Sequence, residues 1–260
     1  INSKEEVDRT TIVLPTEQEE LVKRVAAVNP NTIVALISNY PYAIGELEKN
    51  VPAILLSASG SQELGHGIAD VLTGKAAAAG RLNMTWYRSD EDLPDMNDYD
   101  IIQGKRTYQY FDREVLYPFG YGLTYSQIRY SDAHADVTDF GILEPVTVHV
   151  TVENTGTYPV QEAVQVYVRF SEREACDPGY QLKGIRSVAL ECGEKKEVCI
   201  TLSPRDFALI SEEGKCLVHP GSYEIAVGGQ QPDERSSRLT GQTVSTLFIC
   251  KTGNVTEVEY

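Results

Sequence analysis

Two hydrophobic periodicities divide the chain. In the first, apolar runs alternate with stretches of helical spacing. Leu21, Val22, Val25, Ala26 and Val28 fall on one helical face. Thr16 stands ahead of them as an N-cap with Glu19 as its capping-box partner, and Asn29-Pro30-Asn31 stops the helix. Residues 32–37 (TIVALI) and 51–56 (VPAILL) are uninterrupted apolar runs, which predicts strands covered on both faces. Residues 62–72 predict a second helix with Leu64, Ile68, Val71 and Leu72 on one face, ended by Gly74. Strand and helix in alternation predict a parallel α/β sheet.

The second periodicity is two. Val146, Val148, Val150 and Val152 alternate with Thr147, His149, Thr151 and Glu153, and Asn154-Thr155-Gly156 makes a turn. Residues 163–170 (AVQVYVRF), 198–202 and 222–227 repeat the pattern, so an antiparallel β-sandwich is expected. The expected fold class is α/β followed by all-β, with a break near residues 126–141 and domains at 1–126 and 127–260. Two stretches join the patterns. Ser89 to Asp100 holds six acids and no base, which predicts a solvated surface loop. Tyr108, Tyr110, Phe111, Tyr117, Phe119, Tyr121 and Tyr125 then form an aromatic, Gly-punctuated segment. Such a segment either lines a site or straps a domain boundary.

Composition removes several function classes. Across 260 residues, 23 basic and 38 acidic side chains leave a net charge of −15, which argues against nucleic acid or an anionic membrane as partner. There is no apolar run long enough to span a membrane. Five Cys, an odd number without a C-x-x-C pair, predict buried or half-buried strand thiols and favour a reducing, cytoplasm-like compartment. The four His show no ligand spacing, and neither a metal nor a cofactor is expected. No G-x-S-x-G elbow or phosphate-binding Gly fingerprint occurs. What remains is carboxylate chemistry. Glu5, Glu6 and Asp8 cluster beside Arg9, and a carboxyl held next to another in a cleft can serve as a general acid. On its own, however, the cluster reads as a solvated terminal charge run, and nothing intrinsic to residues 4–9 overturns that.

The order of segments changes that picture. Glu5-Glu6-Val7-Asp8-Arg9, Leu14-Pro15-x-x-Gln18 and Val28-Asn29-Pro30 are followed by Gln62-Glu63-Leu64-Gly65 and Ala69-Asp70-Val71-Leu72-x-Gly74. Gly80-Arg81-Leu82, Met84-Thr85-Trp86-Tyr87, residues 104–111 (GKRTYQYF) and 117–125 (YPFGYGLTY) come next, the last being the most specific. Together they resemble the C-terminal α/β domain of glycoside hydrolase family 3. Val152-x-Asn154-Thr155-Gly156, residues 162–168, Leu182-Lys183-Gly184, Pro220-Gly221-x-Tyr223 and Val227-Gly228 resemble the fibronectin type III-like domain that follows it.

The resemblance implies a retaining β-glycosidase acting on oligosaccharides or aryl glycosides. The nucleophilic Asp of that family comes from an N-terminal barrel and the acid/base from an E-G-x-D-R segment. Aligning Asp8-Arg9 puts Glu5 at the acid/base position, with Glu6, which replaces the usual Gly, as the alternative. Residues 83–87 and 93–101 look most like the β-xylosidase branch, with β-glucosidases next. No barrel or nucleophile segment is found, so the chain is expected to be a C-terminal portion. It is then inactive alone, partnered by the barrel and prone to self-association through uncovered surface. The competing expectation is a non-catalytic carbohydrate- or protein-binding module.

Overall fold

The computed structural model describes residues 9–259. The chain forms two compact units. The first comprises the residues up to Ala76 with Met84–Thr107 and Phe111–Pro118; the second takes Ala77–Asn83, Tyr108–Tyr110 and the chain from Phe119 onward.

In the first unit, α1 (Thr16–Val28) begins after Pro15, whose fixed φ suits a helix entry, and Thr16 is the first helical residue rather than its cap. No side chain caps this end, so the expected Thr16–Glu19 capping box does not form. Strands β1 (Ile33–Ile37) and β2 (Ala53–Ser57) pair in parallel from Ile33↔Ala53 to Ile37↔Ser57. The short helix α2 (Gly45–Glu48) lies between them in sequence. Helix α3 (Leu64–Leu72) follows and closes on Gly74 at φ 74°.

The strands are not covered on both faces as their apolar runs predict. Ile33 and Ile37 are each 51% exposed, and Leu21, Val25 and Val28 of α1 are exposed too. Parallel sheets are ordinarily buried on both sides. The runs therefore encode a burial that the described residues of this unit do not themselves provide. Its buried apolar side chains are Leu14, Tyr42, Ile44, Leu47, Trp86 and Leu116, with Ala43.

After α4 (Thr107–Tyr110) the chain turns all-β. Strands β3 (Ile128–Ala135), β4 (Asp139–Gly141), β5 (Val146–Asn154), β6 (Val160–Phe170), β7 (Gln181–Leu190) and β8 (Lys195–Leu202) follow. Then come β9 (Leu209–Ile210), β10 (Cys216–Val218), β11 (Gly221–Gly228), helix α5 (Glu234–Thr240), β12 (Ser245–Thr252) and β13 (Thr256–Glu257). They form a three-stranded sheet β3-β5-β8, a five-stranded sheet β4-β12-β11-β6-β7 and a small sheet β13-β10-β9. The fold is an α/β unit plus an antiparallel, fibronectin type III-like sandwich, with one parallel edge pair, β12 with β4.

The core of the sandwich follows the period-two valines. Val146, Val148, Val150 and Val152 of β5 meet Val164, Val166 and Val168 of β6 and Tyr223, Ile225 and Val227 of β11. Central strand β6 is buried on both faces, since Gln165 and Tyr167 are as enclosed as the valines beside them. Two expectations for cysteine need correction: Cys176 and Cys192 are exposed turn residues, whereas Cys199, Cys216 and Cys250 sit on strands. All five thiols are free.

Candidate functional site

Glu5 and Glu6, the acid/base candidates, lie outside the described residues, as does Asp8. The described chain takes up at Arg9, and residues 9–14 are tied down along their length. The Arg9 guanidinium lies 4.2 Å from the centre of the Tyr42 ring and 5.5 Å from that of Tyr40, close enough for cation–π attraction. Its Nη2 donates to the Val13 carbonyl at 2.8 Å, which closes the segment on itself. Its Nη1 is buried with no partner among the described residues. Burial pushes the Tyr42 phenol up, with a further contribution from its bond to Tyr40.

The next residues are held by one carboxylate. Thr11 Oγ1 donates to Asp90 Oδ2 at 2.5 Å, and the Ile12 amide donates to Asp90 Oδ1 at 2.7 Å. On the other side the Ala43 amide donates to the Ile12 carbonyl at 2.9 Å, and Val13 bridges to Ala43 in parallel. Leu14 then enters the core. A charged acceptor shared by two donors is stronger than a neutral bond, so Asp90 is the main clamp on this segment.

Asp90 itself is rigidly set. It opens a 3-10 turn, Asp90–Asp92, with a Ser89/Asp92 capping box. Arg113 pairs with Asp92 at 3.1 Å and donates to the Glu91 and Asp92 carbonyls. Farther along, Asp95, Asp98 and Asp100 each accept a backbone amide two residues ahead. Arg106 donates to the Asp95 carbonyl at 2.8 Å and also to that of Asp98. The acidic stretch is therefore a surface loop as predicted, but one braced by Asx turns and two arginines rather than merely solvated.

The aromatic segment divides between the two units. In the first, Trp86 N donates to Tyr117 O at 2.9 Å and Leu116 N to Trp86 O at 2.8 Å, with the Trp86 and Tyr117 rings edge to face. In the second, Phe119 stacks on Tyr108 at 4.1 Å, and Tyr108 meets Tyr167 edge-on. Gly120 has φ +77°, and its carbonyl accepts from Gln165 Nε2 at 3.0 Å. Tyr167 donates to Gln165 Oε1 at 2.6 Å. A Cβ on Gly120 would come within 2.6 Å of the Tyr167 hydroxyl and closer still to Gln165 Oε1.

Gly80-Arg81-Leu82 supplies the second unit's buried ion pair. Arg81 Nη2 lies 2.8 Å from Glu162 Oε2, with side-chain exposures of 9% and 3%. Tyr130 donates to the other Glu162 oxygen at 2.8 Å. These motif residues therefore have structural work in their own units. His66, in the first turn of α3, is exposed and bonds Glu63 at 2.6 Å. The sole Trp, Trp86, is 3% exposed and offers no face for a sugar to stack on.

Residues 1–125 match the glycosyl hydrolase family 3 C-terminal domain, and residues 162–231 match the fibronectin type III-like domain. The chain carries the C-terminal domain of glycoside hydrolase family 3. Similar proteins include a β-glucosidase of Kluyveromyces marxianus, 35% identical over 241 residues, covering 87% of this chain and 28% of the relative. A xylan 1,4-β-xylosidase of Xylanibacter ruminicola is 33% identical over 234 residues, covering 90% of this chain and 26% of its own length. Among solved structures, a Kluyveromyces marxianus β-glucosidase superposes with a TM-score of 0.83 at 31% identity, covering 98% of this chain and 30% of that one. The chain thus spans less than a third of the length of these relatives.

Proposed function

We propose that this chain supplies the acid/base carboxylate to a retaining, exo-acting β-glycosidase, with Glu5 in that role and Glu6 as the alternative. The nucleophilic carboxylate comes from a barrel domain outside these 260 residues. In the first step the nucleophile attacks the anomeric carbon while the glutamic acid protonates the departing glycosidic oxygen. In the second, the same residue, now a carboxylate, takes a proton from water as it attacks the glycosyl-enzyme. The two carboxyl groups must come to about 5 Å of each other, which requires the acidic segment to be aimed at the barrel.

The observation that supports this reading is the anchorage of residues 9–14. A bare terminal charge run needs no clamp. Here Asp90, Ala43 and the Tyr40–Tyr42 pair hold the root of the segment that carries Glu5 and Glu6. Asp8 and Arg9, adjacent in sequence, are the proposed orienting pair of that segment. The exposed apolar positions of α1 and β1 are the proposed seat of the rest of the α/β domain and barrel. Terminal β-linked sugars of oligosaccharides or aryl glycosides are the proposed substrates. A β-xyloside is preferred to a β-glucoside on the motifs at 83–87 and 93–101.

The test uses the protein that joins this chain to its barrel. Glu5→Gln is expected to slow turnover of substrates with poor leaving groups by about 10²–10⁴-fold. Azide is expected to restore rate with an activated aryl leaving group by capturing the glycosyl-enzyme. Unchanged turnover in both Glu5→Gln and Glu6→Gln rejects the acid/base assignment.

A further inference from the structure

The solvent face of the sheet β3-β5-β8 gathers a second set of chemically capable side chains, unrelated to the acidic segment. His149 on β5 stands directly opposite Cys199 on β8 in the antiparallel register, and His134 on β3 stands opposite His149 on its other side. All three occupy the outward positions of their strands, because the alternate positions, Val148, Val150 and Val198, fill the core. Glu197 lies two residues before Cys199 and so shares its face. His149 Nδ1 lies 3.2 Å from Cys199 Sγ and 3.6 Å from Glu197 Oε1. One ligand atom from each of these three side chains falls within 4.8 Å of the others.

We propose that His149, Cys199 and Glu197 bind a divalent transition metal of the zinc class. Zinc bonds of about 2.3 Å to sulfur and 2.0–2.1 Å to nitrogen place tetrahedral neighbours roughly 3.5 Å apart. The observed separations of 3.2 and 3.6 Å already bracket that spacing. The set mixes thiolate, imidazole and carboxylate, which suits zinc or cobalt and not magnesium or calcium.

The other ring nitrogen carries a second argument. His149 Nε2 is buried without a hydrogen bond among the described residues, yet sits 3.2 Å from Asp136 Oδ1. A ligating imidazole ordinarily gives its remaining N–H to a carboxylate, which fixes its tautomer and raises its basicity. Asp136 is placed for that task. His134 stacks on the His149 ring at 5.0 Å between centroids and 15° between planes, which limits ring rotation. Binding would release the Cys199 thiol proton to solvent as the sulfur–metal bond forms, and water would complete the coordination.

The test is titration of the chain with cobalt chloride alone, followed by zinc displacement. One cobalt per chain is expected, with a thiolate-to-cobalt charge-transfer band that zinc abolishes. Cys199→Ser should remove the band while keeping its far-UV circular dichroism. Asp136→Asn, at a side chain 69% exposed and therefore tolerant of change, should weaken affinity by about 10–100-fold. Absence of a thiolate band at saturating cobalt, or its survival in folded Cys199→Ser, overturns the site. Unchanged affinity in Asp136→Asn overturns the role given to Asp136.

Discussion

Substituting Arg81 by Met isolates the buried ion pair that closes the sandwich unit. Arg81 is 9% and Glu162 3% exposed, and their contact is 2.8 Å. Removing the guanidinium leaves a carboxylate in the interior with the Tyr130 hydroxyl as its remaining side-chain donor. Loss of one partner from such a pair costs about 3–5 kcal/mol, a large share of the roughly 5–15 kcal/mol that a domain commands. Arg81→Met combined with Glu162→Met should cost less than Arg81→Met alone, because two apolar side chains of similar length leave no stranded charge. The defect in Arg81→Met should also shrink as pH falls, since an unpaired buried carboxylate is driven to take up a proton. Urea unfolding followed by far-UV circular dichroism reads this out. Trp86 is the wrong probe because it sits in the other unit. A loss below about 1 kcal/mol, the range of exposed pairs, would refute the reasoning, as would a double variant less stable than the single one.

Gly120→Ala should destabilise the same unit by about 2–4 kcal/mol, from the left-handed backbone and the broken Gln165–Tyr167 bonds; equilibrium unfolding measures it. Burial pushes the phenols of Tyr180 and Tyr223 up to about 12. Unfolded tyrosine loses its proton near pH 10, so the stability these groups lend is present below that pH and lost as pH rises from about 10 to 12. Urea midpoints should fall across that window, and flat midpoints would contradict the linkage. Asp90→Ala removes the shared acceptor of Thr11 and Ile12. In the protein joined to its barrel it should lower turnover about 10²-fold through misplacement of the acidic segment, with faster hydrogen exchange at the Ile12 amide. The chain studied alone should self-associate in sedimentation velocity through the exposed faces of α1 and β1, and Val25→Lys with Ile33→Lys should reduce that association.

Much of the architecture was legible because burial and periodicity coincide. The valines of β5 alternate with polar residues, and the structure buries every one. Strand β3 escaped the pattern because a register shift between Ser131 and His134, with Asp132 at φ +55°, breaks the alternation. Strand β7 escaped it because it is an edge strand with Lys183, Gly184 and Arg186 at its middle, and edge strands carry charge to resist pairing. Gly184 is required there, since a Cβ would fall 2.6 Å from Ile200 Cγ2. Helix α5 did carry local signals, Asp233 capping Ser236 and Gly241 at the end, and could have been found.

The proposed site rests on the order of motifs, which points to Glu5 and Glu6, whereas the anchorage of residues 9–14 could not be read from spacing. Asp90 lies 79 residues from Thr11, and nothing local marks it out from the five other acids of its loop. The metal-ligand set was hidden for the same reason. His149 and Cys199 are 50 residues apart, and only the β5–β8 register makes them neighbours.

The most direct test of the central claim is turnover of an aryl β-xyloside and an aryl β-glucoside by three samples: this chain, the barrel, and the two joined. The account predicts turnover only in the joined protein, faster on the xyloside, and lost with Glu5→Gln for a poor leaving group. Turnover by this chain alone that disappears in Glu5→Gln would contradict it, because both carboxylates would then lie within these 260 residues.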